Sequence, residues 1–290
     1  MSKTATKKKA LKVAFQGEPG ANSHLAISGC FPKAVALPCP TFEDAFAAIQ
    51  SGQADLGMIP IENSVAGRVA DIHHLMPHSG LHIIGEWFQP IRHQLMAIKG
   101  AKLGGIKTVE SHVQALGQCR KMIRKLKLKP VVAADTAGSA REIAERGDKS
   151  AAAIASKLAA EIYGLQILAK DVEDEAHNTT RFIVLSKKGA WAKQGSGRIM
   201  TTFVFRVRNV PAALYKAMGG FATNGVNMTK LESYMIEGSF SATQFYADVE
   251  GHPDDRGLAF ALEELKFFSA EFRIVGVYPA APFRATLNGA

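Results

Sequence analysis

The sequence predicts an α/β protein, a two-lobed domain on parallel sheet followed by a smaller domain of βαββαβ order. Three observations carry this. From Leu11 to Leu185 short apolar runs alternate with helical patterns that stop at glycine, the rhythm of strand–helix units. That alternation breaks at "LHIIGEWFQPIRHQLMAI" (81–98), two extended segments with Pro90 inside, and "LQILAKDVED" (165–174) is a matching return. Two crossings imply two lobes with a ligand cleft between them. After the polar, glycine-containing stretch "KKGAWAKQGSGR" (187–198) the rhythm changes to that of a separate, ferredoxin-like unit.

Taken in order, "LKVAFQG" (11–17) reads as a strand ending at a glycine, Ala21–Gly29 as a helix, and Phe42–Gln50 as a helix stopped by Gly52. "DLGMIPI" (55–61) is a strand and Val65–Met76 a helix; after "TVESH" (108–112) a helix runs to about Leu126. "VVAAD" leads into a helix ended by Gly147, and "AAAIA" into one ended by Gly164. "HNTTRFIVL" (177–185) is a buried strand with polar residues at its mouth. The small domain comprises a strand at 201–207 and a helix at 211–225 with Pro211 in its first turn. Two strands follow around a Glu237–Gly238 turn, then a helix at 255–268 and a last strand at 272–278, with a loose tail beyond Tyr278. The expected boundaries are a disordered basic tail at 1–10, the two-lobed domain at 11–187, a linker at 188–199, the small domain at 200–279 and a tail at 280–290.

Composition excludes several classes. Hydrophobic residues at 47% and charged residues at 21% are those of an ordinary globular protein. No apolar run approaches the roughly 18 residues of a membrane helix. Lys3, Lys7, Lys8 and Lys9 are followed by no signal-like apolar core, so the expected location is the cytoplasm. Three cysteines without a CxxC pair speak against a disulfide framework or structural zinc. The net charge of +9 includes four charges in the first ten residues, and "RKMIRKLKLK" (120–129) has the spacing of a helix with a solvated face, so nucleic acid is not expected. Pro77 and Gly80 interrupt His73, His74, His78 and His82, so no metal is expected either.

The candidate chemistry sits at strand ends. Glu62, Asn63 and Ser64 in "PIENS" follow a strand and precede a helix, where open parallel sheets hold ligands; Asn63 or Ser64 could equally be a helix N-cap. Ser111 with His112, and Asp135, Thr136 and Ser139, occupy equivalent junctions, with Gln118 two turns along; each also has a capping explanation. Asn178, Thr179, Thr180 and Arg181 add polar groups at the mouth of the strand in 177–185. Gly17 and Gly20 lack the spacing of a nucleotide fingerprint, so no nucleotide cofactor is expected, and no nucleophile elbow is present.

"GANSHLA", "ADLGMIPIENSVAGRV", "SHVQALGQC", "AAAIAS", "YGLQIL" and "NTTRFIVL", in this order, resemble the prephenate dehydratase family. "PAALYKAMGGFATNGVNMTKLES" resembles the phenylalanine-binding segments of that family's C-terminal ACT regulatory domain. It departs at Ala212, where glycine is usual, and at Tyr234–Met235, where Arg–Pro is common. The resemblance implies a type II periplasmic-binding-protein-like catalytic domain and a cofactor-free lyase that converts prephenate to phenylpyruvate on the way to L-phenylalanine. It assigns Thr180 as donor to the departing oxygen and Arg181 as a carboxylate clamp. Glu62 is the second candidate for proton delivery, and Asn63, Ser64, Ser111, Gln118, Thr136, Ser139, Asn178 and Thr179 would fix the remaining substrate oxygens. It also implies a homodimer or homotetramer through the ACT domains. L-Phenylalanine would bind at Asn209, Val210, Ala212 and Leu214 of one unit and Asn227, Glu232 and Ser233 across the interface. Arogenate dehydratase is the near alternative, the same elimination on the transaminated substrate. A non-catalytic amino-acid-binding protein is the distant one, and neither a signal peptide nor a DNA-binding helix pair accompanies it.

Overall fold

The computed structural model describes residues 10–208, 210–235 and 242–287. Residues 1–9 of the expected basic tail, Asn209 and the Glu237–Gly238 turn lie outside them. The chain forms two compact units, Met1–Arg68 with Phe88–Phe182, and Val69–Trp87 with Ile183–Ala290.

The first unit is two-lobed. In one lobe strand Lys12–Gln16 runs parallel to Val35–Cys39 on one side and to Leu56–Asn63 on the other. Val13, Ala14 and Phe15 are fully buried, as a central parallel strand covered on both faces requires. Helix Phe42–Ser51 starts at a capping box made by Thr41 and Asp44 and stops at Gly52 in the left-handed conformation. The other lobe orders its strands Gln166–Ala169, Gln94–Ala97, Ala151–Ala155, Thr108–Ser111 and Lys129–Val132. Its central strand is nearly all alanine and wholly buried, and small side chains there let helices Thr136–Arg146 and Lys157–Tyr163 pack close.

One contact between the lobes is built on Ser156 and Tyr163. Ser156 caps helix Lys157–Tyr163 by accepting from the Ala159 N–H at 3.1 Å, and donates its hydroxyl to the Gly20 carbonyl at 2.5 Å. Tyr163 donates to the Pro19 carbonyl at 2.9 Å. This accounts for both the glycine of "GANSHLA" and the serine of "AAAIAS".

Three expectations need correction. The helix expected at Val65–Met76 begins only at Ala70, because Asn63 Oδ1 accepts from the Val65 and Ala66 N–H groups and turns the chain. Glu62–Asn63 then pair antiparallel with Gly67–Arg68. The helix expected to run to Leu126 is two short ones, Val113–Gln118 and Arg120–Lys125, broken at Cys119. Of the tail expected past Tyr278, residues 288–290 lie outside the described residues, and the part up to Leu287 is not loose: Arg284, on a final turn of helix, is buried and bonds both oxygens of Glu86 at 2.6 and 2.9 Å. A buried carboxylate needs such a partner, and that requirement orders the tail. Strand Val35–Cys39, with Pro38 on a sheet edge, was not anticipated.

The second unit is a ferredoxin-like βαββαβ fold. Its antiparallel strands run in the order Met228–Met235, Ala242–Glu250, Ile199–Val207, Ser269–Pro279. Helices Ala213–Thr223 and Arg256–Phe268 cover one face over a core that includes Phe203, Phe205, Phe221, Phe245, Leu258 and Leu262. His73 packs in this unit, with Nδ1 on the Val69 carbonyl and its ring edge-on to Tyr246.

Candidate active site

The polar mouth of strand Thr179–Ser186 meets the end of strand Leu56–Asn63. Backbone N–H groups can only donate, so the bonds from Val65 and Ala66 fix which end of the Asn63 amide is oxygen. Its Nδ2 therefore faces the mouth of strand Thr179–Ser186, donating to Asn178 Oδ1 at 2.8 Å and Thr180 Oγ1 at 2.9 Å. Asn178 Nδ2 in turn donates to Gln118 Oε1 at 2.9 Å, and Gln118 Oε1 also meets His93 Nε2 at 2.9 Å. Ser64 stitches the same corner, donating to the His177 carbonyl and accepting from the Thr179 N–H. Because Thr180 Oγ1 accepts from Asn63, its own proton is available to a ligand. Thr180 is half-buried, while Asn178 is only 1% exposed.

Arg181 and Glu62 form a second pair, Nη1 to Oε1 at 2.9 Å. Side chains alternate along a strand, so this pair lies on the face opposite Asn63 and Thr180. The structure thus does not bring Arg181 and Thr180 together, and the Arg181 side chain is only 3% exposed. Asp174 takes no part in this pair; it accepts from the Arg120 and Lys121 N–H groups at 3.0 Å each, holding the start of that helix. Replacing Arg181 by Met should cost about 2 kcal/mol, below the range for a fully buried pair because Glu62 is a third exposed and can rehydrate. Chemical denaturation should show that loss with the substrate KM moved less than about threefold. A KM raised tenfold at unchanged stability would return Arg181 to the substrate.

The remaining expected contacts divide. Ser111 is fully buried and donates to the Ile154 carbonyl at 2.6 Å, so it ties two strands together rather than facing a ligand. Ser139, 1% exposed, bonds the Asp135 carbonyl one turn back, and Asp135 caps the helix that Thr136 begins. Neither serine is itself a cap: His112 and Asp135 accept the helix-start N–H groups, while the short serine hydroxyls are taken up by nearby backbone carbonyls. Three residues of the corner were missed in the sequence: Arg92, His93 and Glu173. Glu173 accepts from Arg92 Nη1 at 2.8 Å and from the His93 N–H at 2.9 Å, joining the two crossings. The signal available was a cation and a histidine inside the apolar "IRHQLMAI". Among the described residues no His, Cys, Asp or Glu group is gathered to hold a metal.

In the second unit Val210 is exposed, and Ala212 and Leu214 stand at the start of helix Ala213–Thr223. Glu232 and Ser233 lie on the edge strand, with Lys230 Nζ 3.2 Å from Glu232. Asn227, just before that strand, bonds Glu250 at 3.2 Å. Ala212 itself holds φ +59°, a left-handed conformation that glycine adopts without penalty. Ala212→Gly should therefore stabilise the protein by about 0.5–1 kcal/mol, read from its denaturation midpoint.

An α/β enzyme whose two lobes meet around a threonine, an asparagine pair and a glutamine matches a family model described as prephenate dehydratase over residues 13–190. The chain belongs to the prephenate dehydratase family. It is 54% identical, over 94% of its length and 97% of the relative's, to a bifunctional N-acyl-homoserine lactone acylase/prephenate dehydratase of Komagataeibacter europaeus. It is 37% identical to arogenate dehydratase 2 of Petunia hybrida, over 97% of this chain and 74% of that one. A prephenate dehydratase structure from Arthrobacter aurescens in complex with L-Phe superposes with a TM-score of 0.84 at 32% identity, covering 93% of this chain and 90% of that one. Among the described residues no helix is long and apolar enough to cross a membrane.

Proposed function

We propose that the chain converts prephenate to phenylpyruvate. The carbon–carbon bond to the ring carboxylate breaks and releases CO₂, its electron pair enters the ring, and the ring C–O bond breaks. The departing hydroxide takes up one proton and leaves as water. The observation that carries this reading is the Thr180 hydroxyl: Asn63 occupies its oxygen and leaves its proton to stabilise the departing oxygen. Glu62, facing Arg181, supports that corner from behind the strand. Ring aromatisation supplies the thermodynamic drive, so the protein's task is orientation and donation.

In this reading residues 11–187 are the catalytic domain and 200–279 an ACT regulatory domain of a cytoplasmic homodimer or homotetramer inhibited by L-phenylalanine. The L-Phe complex of the Arthrobacter relative supports the effector. The Ala212 methyl stands at the helix start where the effector's carboxylate would approach. Steady-state assays with pure prephenate and pure arogenate test the substrate, and turnover of arogenate alone would replace it. The relative at 54% identity favours a second reading, hydrolysis of N-acyl-homoserine lactones. All three cysteines have thiols pushed up by burial, so a thiolate nucleophile is not at hand for it. Assaying that hydrolysis in wild type and in Thr180→Ala shows whether it exists and whether it shares the site.

A further inference from the structure

We infer that His93, as a neutral imidazole carrying its proton on Nε2, is a positioning residue whose N–H completes and holds the hydrogen-bonded chain of the corner ending at Thr180. The proposal rests on the dehydratase reading of that threonine. His93 lies in the first crossing between the lobes and is 2% exposed. The direction of every bond beyond it is fixed from the far end. Val65 and Ala66 orient Asn63; Asn63 presents Nδ2, so Asn178 must present oxygen to it. Asn178 is left with Nδ2 toward Gln118, so Gln118 must present oxygen, and that oxygen also faces His93. Only an N–H answers an amide oxygen at 2.9 Å. His93 Nε2 is therefore the donor that completes the chain.

The second ring nitrogen is consistent with one proton on the ring. Nδ1 is buried and has no hydrogen-bond partner among the described residues, and a cation there would leave a charged N–H unanswered. Burial also lowers the pKa, against smaller upward contributions from the Gln118 bond and Glu173, so the ring stays neutral at neutral pH. The ring's place is held from its backbone, whose N–H donates to Glu173 at 2.9 Å and whose carbonyl accepts from Val172 at 2.9 Å. With the opposite tautomer, two lone pairs would face each other. Gln118 could then relax only by turning its amide against Asn178, whose orientation the backbone has already decided. His93 touches no reacting atom in this scheme; it acts through Gln118, Asn178 and Asn63.

The test uses the full-length protein. In His93→Gln the side-chain amide nitrogen takes the place of Nε2, and kcat for prephenate should stay within about threefold of wild type. His93→Leu removes the donor and leaves the Gln118 oxygen half-answered, and kcat should fall about 10- to 30-fold with KM within about threefold. A folded Leu variant with wild-type kcat overturns the proposal, as does a Gln variant no better than Leu. Should the Leu variant not fold, ¹H–¹⁵N correlation spectra of histidine-labelled wild type at neutral pH decide the matter. The resonances of His93, assigned by their loss in His93→Gln, should show a neutral ring protonated on Nε2. A cationic ring, or one protonated on Nδ1, overturns the proposal. Failure of wild type to turn over prephenate would instead strike the substrate reading, and the spectra would still report on the ring.

Discussion

Thr180→Ala should lower kcat for prephenate by about 10²-fold or more, the scale of losing one donor to charge developing in a transition state. The removed hydroxyl does two things in the structure. It accepts from Asn63 Nδ2 at 2.9 Å, and it has one proton left to give. Loss of the first should be mild, because Asn63 keeps Asn178 Oδ1 at 2.8 Å as an acceptor. Thr180→Ser restores both groups and should recover most of the activity, with some loss from the freer rotamer of an unbranched side chain. Unchanged melting of the Ala variant would show that the loss is chemical. A folded Ala variant with near-normal kcat would remove Thr180 from the mechanism.

Gly20→Ala should cost about 3 kcal/mol of stability, from two additive sources. The residue holds φ +94°, where a Cβ is strained, and an added Cβ would lie 2.7 Å from Ala159 Cα and 2.9 Å from its Cβ. The first obstacle is backbone at the start of a helix, so no rotamer change relieves it. If the loop retreats instead, it takes the Gly20 carbonyl away from Ser156, leaving a 1% exposed hydroxyl unanswered. Either response loosens the contact where the lobes meet, so kcat should fall as well as the denaturation midpoint. Gly52→Ala is the control: it shares a left-handed backbone, but nothing lies within 4 Å of its added Cβ, so only the conformational part of the cost remains. Equal losses in the two variants would refute the packing argument.

Much of the fold was legible because its signals are local. Glycines ended helices at Gly52, Gly147 and Gly164, all left-handed in the structure, and the change of rhythm after residue 187 is the βαββαβ unit. The errors share one cause. Val65–Met76 has helical spacing, but the Asn63 side chain claims the first two N–H groups and gives the segment to a turn. Arg284 sits in a short alanine- and proline-rich tail with no pattern, yet Glu86, 198 residues away, draws it inside.

The candidate site divides the same way. By itself the sequence marked the strand ends at Glu62–Ser64 and Asn178–Arg181 as polar mouths and named the residue types there, since apolar runs with polar mouths are a feature of neighbouring residues. Only the tertiary structure decided how those side chains pair. It put Asn63 on Asn178, 115 residues apart, rather than on a helix start, and it paired Arg181 with Glu62. It also brought the unsuspected His93 to Gln118 and turned Ser111 and Ser139 to backbone carbonyls. The physical reason is range. Propensity and periodicity act over a few residues, whereas a buried donor must find its acceptor wherever packing has placed one.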